Sequence, residues 1–173
     1  KLDALLHGLA SRFPQTEALT VLHGIGLYSA LLIVAEIGEP SRFADGRQVG
    51  AYAGLTARVS QSGEHAYYGH ISHQGSPWLR WILVQAAMKI VQRDPALRNL
   101  HTRIRKRSGK KIARVAVARK LAGICWIRLR RWHREHGAMQ PNQATAKLLR
   151  QTLGLVAMET RAGLDALYKC LSI

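Results

Sequence analysis

The sequence predicts an all-α fold: a compact helical domain that contains a helix–hairpin–helix and a polar Ser-Gly loop, followed by a helical tail. Apolar residues make up 47% of the 173 residues, enough to form a buried core. Apolar side chains recur at helical spacing in most segments. Ser-Pro and Asp-Pro pairs stand where helices would begin. We therefore predict a domain at 1–136 and a tail at 137–173.

The first third of the chain predicts short helices around one tight turn. Residues 2–13 are amphipathic and end before Pro14. Residues 16–23 and 28–37 are apolar, and the glycine-containing run 24–26 separates them. This arrangement is typical of a helix–hairpin–helix.

The middle of the chain predicts a change from helix to polar loop and back. Residues 45–55 predict a short helix that Gly54 ends. Residues 56–75 are polar, contain several glycines and lack a helical period, which predicts a loop or a short hairpin. Ser76 and Pro77 then fit the cap and first turn of a strong helix with a buried face.

The last part of the domain predicts two basic helices. One begins at Asp94-Pro95, the pair Ser108-Gly109 turns the chain, and a long helix covers 110–135. Residues 137–142 are the best candidate for a linker, and 144–171 predict a less basic helical tail.

The large positive charge of the chain indicates a polyanionic partner. Lys and Arg number 26 against 10 Asp and Glu, a formal net charge of +16. From 98 to 136 the only acid is Glu135, so this stretch favours displacement of counterions from a phosphate backbone. The alternative is a solvated, highly charged helix face. Trp126 and Trp132, at helical spacing, are interpreted as core or interface residues rather than a base-stacking platform. The candidate nucleic-acid contacts here are Arg103, Arg105, Lys106, Lys110, Lys111, Arg119 and Lys120.

The glycine turn offers a second candidate phosphate contact. Gly24 and Gly26 permit a tight turn that exposes backbone N–H groups at the start of the next helix. Such a nest binds a phosphate without reading sequence. The flanking Lys or Arg usual in this motif is missing, so a purely structural αα-turn remains the alternative.

The polar segment offers a candidate nucleophile. An exposed serine beside a glycine can approach a phosphodiester, and the nearby Arg58 and Arg80 could stabilise the charged transition state. Most Ser-Gly pairs are simply turns, and that alternative stays open from the residues alone. The hydroxyls of this region belong to Ser60, Ser62, Ser72 and Ser76.

Several functional classes are excluded or disfavoured. Two cysteines cannot build a disulfide framework or a zinc site. Three histidines near Glu64 raise the question of a metal, but without a cysteine or a second converging carboxylate we predict no metal site in this chain. No apolar run is long enough for a membrane span, and no signal-peptide pattern opens the chain. The three histidines are His65, His70 and His73.

Residues 19–129 resemble the C-terminal transposase domain of the insertion-sequence family 110/116/902. The resemblance covers about two thirds of the chain and rests on the order and spacing of several short motifs. Those motifs are Gly24-Ile25-Gly26, Ala35-Glu36-Ile37-Gly38, Arg42-Phe43, Tyr52-Ala53-Gly54-Leu55-Thr56, Arg58, Ser62-Gly63, Gly69-His70-Ile71-Ser72-His73-Gln74-Gly75, Leu79-Arg80 and Ala118-Arg119-Lys120-Leu121.

The resemblance implies a DNA recombinase that moves a mobile element. In the family this domain supplies a serine that attacks the DNA phosphodiester, and that serine falls on Ser62. Arg58 and Arg80 match flanking basic positions and are expected to contact phosphate. A structured guide RNA, a homo-oligomeric complex and a cytoplasmic, nucleoid-associated location in a prokaryote are implied as well. A separate domain with a ribonuclease-H-like fold holds the divalent metal (Mg²⁺), so we expect no cofactor in this chain.

Two departures from the family pattern affect turns, and one concerns a domain. His23 and Ala57 stand where the family usually has proline, which loosens each turn. No segment here supplies the acidic domain, since only Asp3 and Glu17 precede the glycine turn. We therefore expect a fragment or a decayed remnant that binds nucleic acid but does not recombine it alone, and whether it is an enzyme stays open.

Three hypotheses follow for the function. The first is the serine-nucleophile domain of an RNA-guided transposase. The second is a non-catalytic helix–hairpin–helix binder of nucleic acid. The third is a helical module whose positive charge docks an acidic protein.

Overall fold

The described part of the chain is mostly helical, with one small antiparallel sheet. A computed structural model describes residues 2–62, 65–72, 74–137 and 151. The mostly helical prediction is confirmed, and of the predicted linker and tail only residues 137 and 151 are described. The elements are α1 Leu2–Ala10, α2 Glu17–Thr20, α3 Leu27–Ile37, α4 Gly46–Tyr52, β1 Ala57–Ser62, β2 His65–Ile71, α5 Pro77–Ile90 and α6 Pro95–His136, with short 3-10 turns at Pro14–Thr16 and Pro40–Arg42.

The predicted helix starts are confirmed and are fixed by side-chain caps. The Ser76 hydroxyl accepts the backbone N–H of Leu79 at 3.0 Å. The Asp94 carboxylate accepts that of Leu97 at 2.9 Å, and Asp45 accepts two N–H groups at the start of α4. Each cap satisfies N–H groups that the helix cannot, and contributes about 1 kcal/mol.

The predicted turn within the basic stretch is confirmed as a break in α6. Gly109 has φ 86° and ψ 171°, whereas the residues on either side are helical. A residue with a Cβ rarely adopts this left-handed φ, so glycine is required at the break. The two parts of α6, 95–108 and 110–136, therefore run in different directions.

The core centres on α3, where every residue from Ala30 to Ile37 is buried. Helix α5 packs on α3, and α6 packs on both α5 and α4. The α4–α6 contact is a glycine-on-glycine approach, because a Cβ built on Gly46 would lie 2.7 Å from the Cα of Gly123. This close approach holds α4, and with it the segment that follows, against the basic helix.

Of the two alternatives predicted for residues 56–75, the structure shows the hairpin. Strands β1 and β2 pair antiparallel, and Ser62 is the partner of His65. The base of the hairpin is closed by backbone hydrogen bonds from Ser72 to Thr56 (2.8 Å) and from Ser76 to the Tyr52 carbonyl (2.9 Å). The hairpin is thereby joined at one end to α4 and at the other to α5.

None of the helices in the described ranges is both long enough and apolar enough to span a lipid bilayer.

Candidate nucleic-acid interface and serine hairpin

All seven candidate contacts on α6 are exposed to solvent. We call them the α6 cations. Within the described part of the chain, no carboxylate forms an ion pair with any of them. Their charges therefore remain available to an external anion. The α6 cations are Arg103, Arg105 and Lys106 before the break, Lys110 and Lys111 directly after it, and Arg119 and Lys120 about two turns further on.

Arg119 is also held in place by packing. Its aliphatic stem crosses Gly50 of α4, where an added Cβ would meet Arg119 Cγ at 2.8 Å. The stem covers the α4 backbone while the residue as a whole stays exposed, as is common for arginine at a surface. The packed stem thus fixes the position from which the Arg119 guanidinium extends into solvent.

The glycine turn packs against α5. Gly24 has φ 87°, and a Cβ on it would lie 2.7 Å from Lys89 Cβ and 3.3 Å from the Ala86 carbonyl oxygen. Gly26 is the N-cap of α3 and has an extended backbone, and a Cβ added to it would meet nothing within 4 Å. Position 24 therefore requires glycine for both its conformation and its packing, whereas the space beside Gly26 is unoccupied by the described residues.

The N-terminus of α3 leaves backbone donors without a helical acceptor. The first intrahelical bond runs from Ala30 N–H to Gly26 O at 2.9 Å, and no side chain caps Gly26. A basic residue does lie beside the turn: the stem of Lys89, an exposed residue, packs on Gly24. Lys89 is far away in sequence, on α5, so no local motif could have identified it.

Ser62 is the last residue of β1. It lies beside residues 63–64, which are outside the described ranges, so the Ser-Gly pair is described only at its serine. Ser60 pairs with Tyr67, two positions further from the turn. The backbone thus places Ser62 closer to the turn of the hairpin than Ser60.

Arg58 is exposed on the same strand but is not adjacent to Ser62. The two residues are four positions apart on β1, which puts their Cα atoms about 13 Å apart. The register shifts at this point, so that Gly69 and His70 of β2 lie opposite the single residue Arg58. Arg58 therefore projects from an irregular part of the hairpin, toward its base.

Arg80 lies in the interior, which corrects the expectation that it offers its charge to a phosphate. Only 3% of the residue is exposed, and its Nη1 donates a hydrogen bond to the Ala53 carbonyl at 3.2 Å. That bond ties α5 to the end of α4. Its role in this structure is to support the base of the hairpin.

Burial makes two further side chains, those of Cys125 and Trp126, unavailable to a ligand. Burial raises the pKa of the Cys125 thiol to about 12, so it is not a thiolate nucleophile. Trp126 is in the core, as predicted, and its indole N–H donates to the Pro40 carbonyl at 2.9 Å. Trp132 is only half-buried, so of the two tryptophans Trp126 alone belongs to the core.

No three His, Cys, Asp or Glu side chains gather into a metal-binding group among the described residues. Glu64 and His73 lie outside those residues, and the side chain of His65 is not described. With acids this scarce in the described part, its residues do not fit an Mg²⁺ site, which needs oxygen ligands.

Comparison with known proteins decides the family. Residues 16–102 match the sequence model of the "Transposase IS116/IS110/IS902 family". The chain belongs to this family. The matched residues include the glycine turn, the hairpin with Ser62 and the whole of α5, whereas all seven α6 cations lie beyond residue 102.

Individual relatives agree with the family match. A protein of Pseudomonas aeruginosa named "Probable family 20 transposase" is 33% identical over 120 residues, which is 66% of this chain and 35% of that protein. The "Transposase for insertion sequence element IS1111A" of Coxiella burnetii is 29% identical over 130 residues, 73% of this chain and 36% of that protein. The chain thus spans about a third of the length of the curated relatives it matches.

Proposed function

We propose that this chain is the nucleic-acid-binding and strand-cleaving part of an insertion-sequence transposase, with Ser62 as the nucleophile. The observation that carries the binding half is the set of exposed α6 cations with no carboxylate partner in the described residues. Family membership supports the catalytic half. Two of its relatives are named as transposases for insertion sequence elements, which supports DNA as the substrate.

The proposed reaction is a transesterification at phosphorus. The Ser62 hydroxyl oxygen bonds to the DNA phosphorus, one phosphodiester P–O bond breaks, and the departing DNA oxygen receives the proton that the serine gives up. The bond is then restored when a DNA hydroxyl attacks the phosphoserine and releases Ser62. Arg58, about 13 Å from Ser62 along β1, is proposed to contact a neighbouring phosphate of the DNA backbone, whereas Arg80 holds the base of the hairpin.

Three features are proposed for the whole transposase rather than for this chain alone. Mg²⁺ would be bound by a separate acidic domain, so no step here depends on residues of this chain as metal ligands. A structured guide RNA would bind alongside DNA, since exposed lysine and arginine contact either backbone. The active complex would be a homo-oligomer.

The glycine turn is proposed as a second phosphate contact, of the helix–hairpin–helix kind. The start of α3, which has no side-chain cap, and the neighbouring stem of Lys89 support this assignment. Such a contact would position the backbone without reading sequence.

Salt dependence tests the binding half. With about six phosphate contacts, the slope of log Kobs against log salt concentration is about −5 for duplex DNA. Affinity measured by fluorescence anisotropy should therefore fall by orders of magnitude from low to physiological salt. An affinity that ignores salt would refute nucleic-acid binding and favour docking to an acidic protein.

A covalent adduct tests the catalytic half. In a full-length transposase that carries this domain, Ser62 should form a protein–DNA adduct that survives detergent. Ser62→Ala should abolish the adduct, and the matched control Ser60→Ala, two residues away on the same strand, should retain it. An adduct that persists in Ser62→Ala but not in Ser60→Ala would move the nucleophile to Ser60.

The second candidate function is a non-catalytic nucleic-acid binder. The packed glycine turn with Lys89 favours it, because that contact needs no serine. It predicts the same salt dependence with no adduct under any condition.

A further inference from the structure

Trp126 and Trp132, which both lie at helical spacing in the sequence, differ in their exposure to solvent. Trp126 is 7% exposed, and its indole N–H is bonded to the Pro40 carbonyl. Trp132 is half-buried and lies on the last turns of α6. Of these two, Trp132 therefore has ring surface left over for another molecule.

The ring of Trp132 is held rigidly. It stacks on His136 with ring centroids 4.5 Å apart and an interplanar angle of 11°. His136 Nδ1 lies 3.1 Å from the Trp132 carbonyl oxygen, an acceptor, so the imidazole is fixed at a second point when Nδ1 carries the proton. The two rings form a parallel stack, which we call the Trp132 platform.

Trp132 lines a groove with an apolar floor and arginine edges. The floor comes from α2 and α6, and Ile127 within it is 57% exposed. The one carboxylate in the groove, Glu135, is paired with Arg131 at 2.9 Å, and that hydrogen bond lowers its pKa. The groove lining therefore holds no uncompensated negative charge. Its lining residues are Ala18, Ile124, Ile127, Arg128, Arg131, Trp132 and Glu135.

We propose that this groove binds an unpaired base of single-stranded DNA. The base stacks against Trp132 and Ile127, and the flanking phosphates lie on Arg128 and neighbouring arginines of α6. This site rests on the proposed function, since it presumes that the α6 cations draw the strand to the helix. It adds that the protein distinguishes an unpaired strand from a duplex, whose bases are stacked and cannot reach the ring.

Charge complementarity favours this occupant over the two protein alternatives. Residues 138–173 of this chain carry four basic and two acidic side chains, so they are themselves basic. A second copy of the chain would bring another basic α6 against this one. Either would place like charges beside Arg128, whereas a nucleotide brings an apolar face together with a phosphate.

The test compares a fluorescein-labelled thymidine dodecamer with a duplex of the same length, bound to the whole chain. Trp132→Leu should weaken binding of the single strand about tenfold, within the range of stacking contacts, and leave the duplex affinity unchanged. Trp132→Phe keeps a ring and should retain most of the affinity. Equal losses for both probes, or no loss for either, would overturn the proposal.

A matched pair of isoleucines protects the test from a folding artefact. Ile127 in the groove and Ile112 outside it are each 57% exposed on α6. Ile127→Ala should weaken single-strand binding severalfold, whereas Ile112→Ala should leave it unchanged. An equal effect of the two would overturn the proposal.

Further outcomes identify another occupant. A matched RNA strand bound more than tenfold tighter than DNA would make RNA the ligand. An oxidised Ile127→Cys variant linked to Cys170 would identify the chain's own tail, and a dimer linked through position 127 would identify a second copy. Each of these three results overturns the assignment to DNA. If the wild-type chain binds neither probe, the proposed function itself fails.

Discussion

Substitution of Gly75 tests how the hairpin that carries Ser62 is held. Gly75 has φ 99°, and a Cβ built on it would lie 1.9 Å from the Tyr52 carbonyl oxygen. That oxygen accepts the Ser76 N–H at the base of the hairpin, so the clash falls on the joint between α4 and α5. Gly38 is the matched control, since its φ is 60° but no atom lies within 4 Å of a Cβ.

Comparison of the two sites separates the energetic cost of a positive φ from the cost of steric overlap. Left-handed φ costs an alanine about 1 kcal/mol, which is the whole expected effect of Gly38→Ala. At Gly75 the overlap with backbone adds about 2 kcal/mol, so Gly75→Ala should lower the free energy of unfolding by about 3 kcal/mol.

Urea unfolding followed by circular dichroism measures both values. Amide hydrogen exchange adds a local readout, because the Ser72 and Ser76 N–H groups should lose protection first in Gly75→Ala. Equal destabilisation by Gly75→Ala and Gly38→Ala would mean that the carbonyl contact has no energetic consequence, contrary to this prediction.

Three further predictions concern the turn, the basic helix and pH. Gly24→Ala should cost about 2 kcal/mol in urea unfolding through its φ and its contact with α5, whereas Gly26→Ala should be nearly neutral; similar costs would contradict the packing. Alanine at both Arg119 and Lys120 should reduce the salt slope of DNA binding by about 2, whereas Arg47→Ala, whose guanidinium is paired with Asp45, should leave it unchanged. Burial lowers the pKa of His133, so as pH falls the unfolded chain binds a proton on this imidazole before the folded chain does. The free energy of unfolding should therefore rise with pH up to about 6.5, and His133→Gln should flatten this rise in melts recorded at several pH values.

Features fixed by neighbouring residues were predictable from the sequence. The starts of α5 and α6 follow from Ser76-Pro77 and Asp94-Pro95, because a cap acts on N–H groups within three residues. The break at Gly109 was predictable for the same reason, since a left-handed φ is a property of the glycine itself. The hairpin was predicted only as one of two alternatives, because glycines at 63, 69 and 75 obscure the strand period.

Features that depend on distant residues were not predictable. Arg80 was expected to contact phosphate because it follows the polar segment and matches a basic position of the family, yet its partner is the carbonyl of Ala53, at the end of α4. Lys89 reaches the glycine turn only because α5 packs there. Trp126 and Trp132 both lie at helical spacing in the sequence, and tertiary packing distinguishes them, because Trp126 joins the buried core and donates its N–H to the Pro40 carbonyl.

The most direct test of the account locates the DNA on the protein. A full-length transposase containing this domain is reacted with DNA, the adduct is digested with nuclease and protease, and tandem mass spectrometry identifies the peptide that retains a nucleotide. If Ser62 is the nucleophile, the nucleotide is found on Ser62, at the end of β1. A nucleotide on any other residue, or salt-dependent binding of DNA with no nucleotide attached, would contradict it.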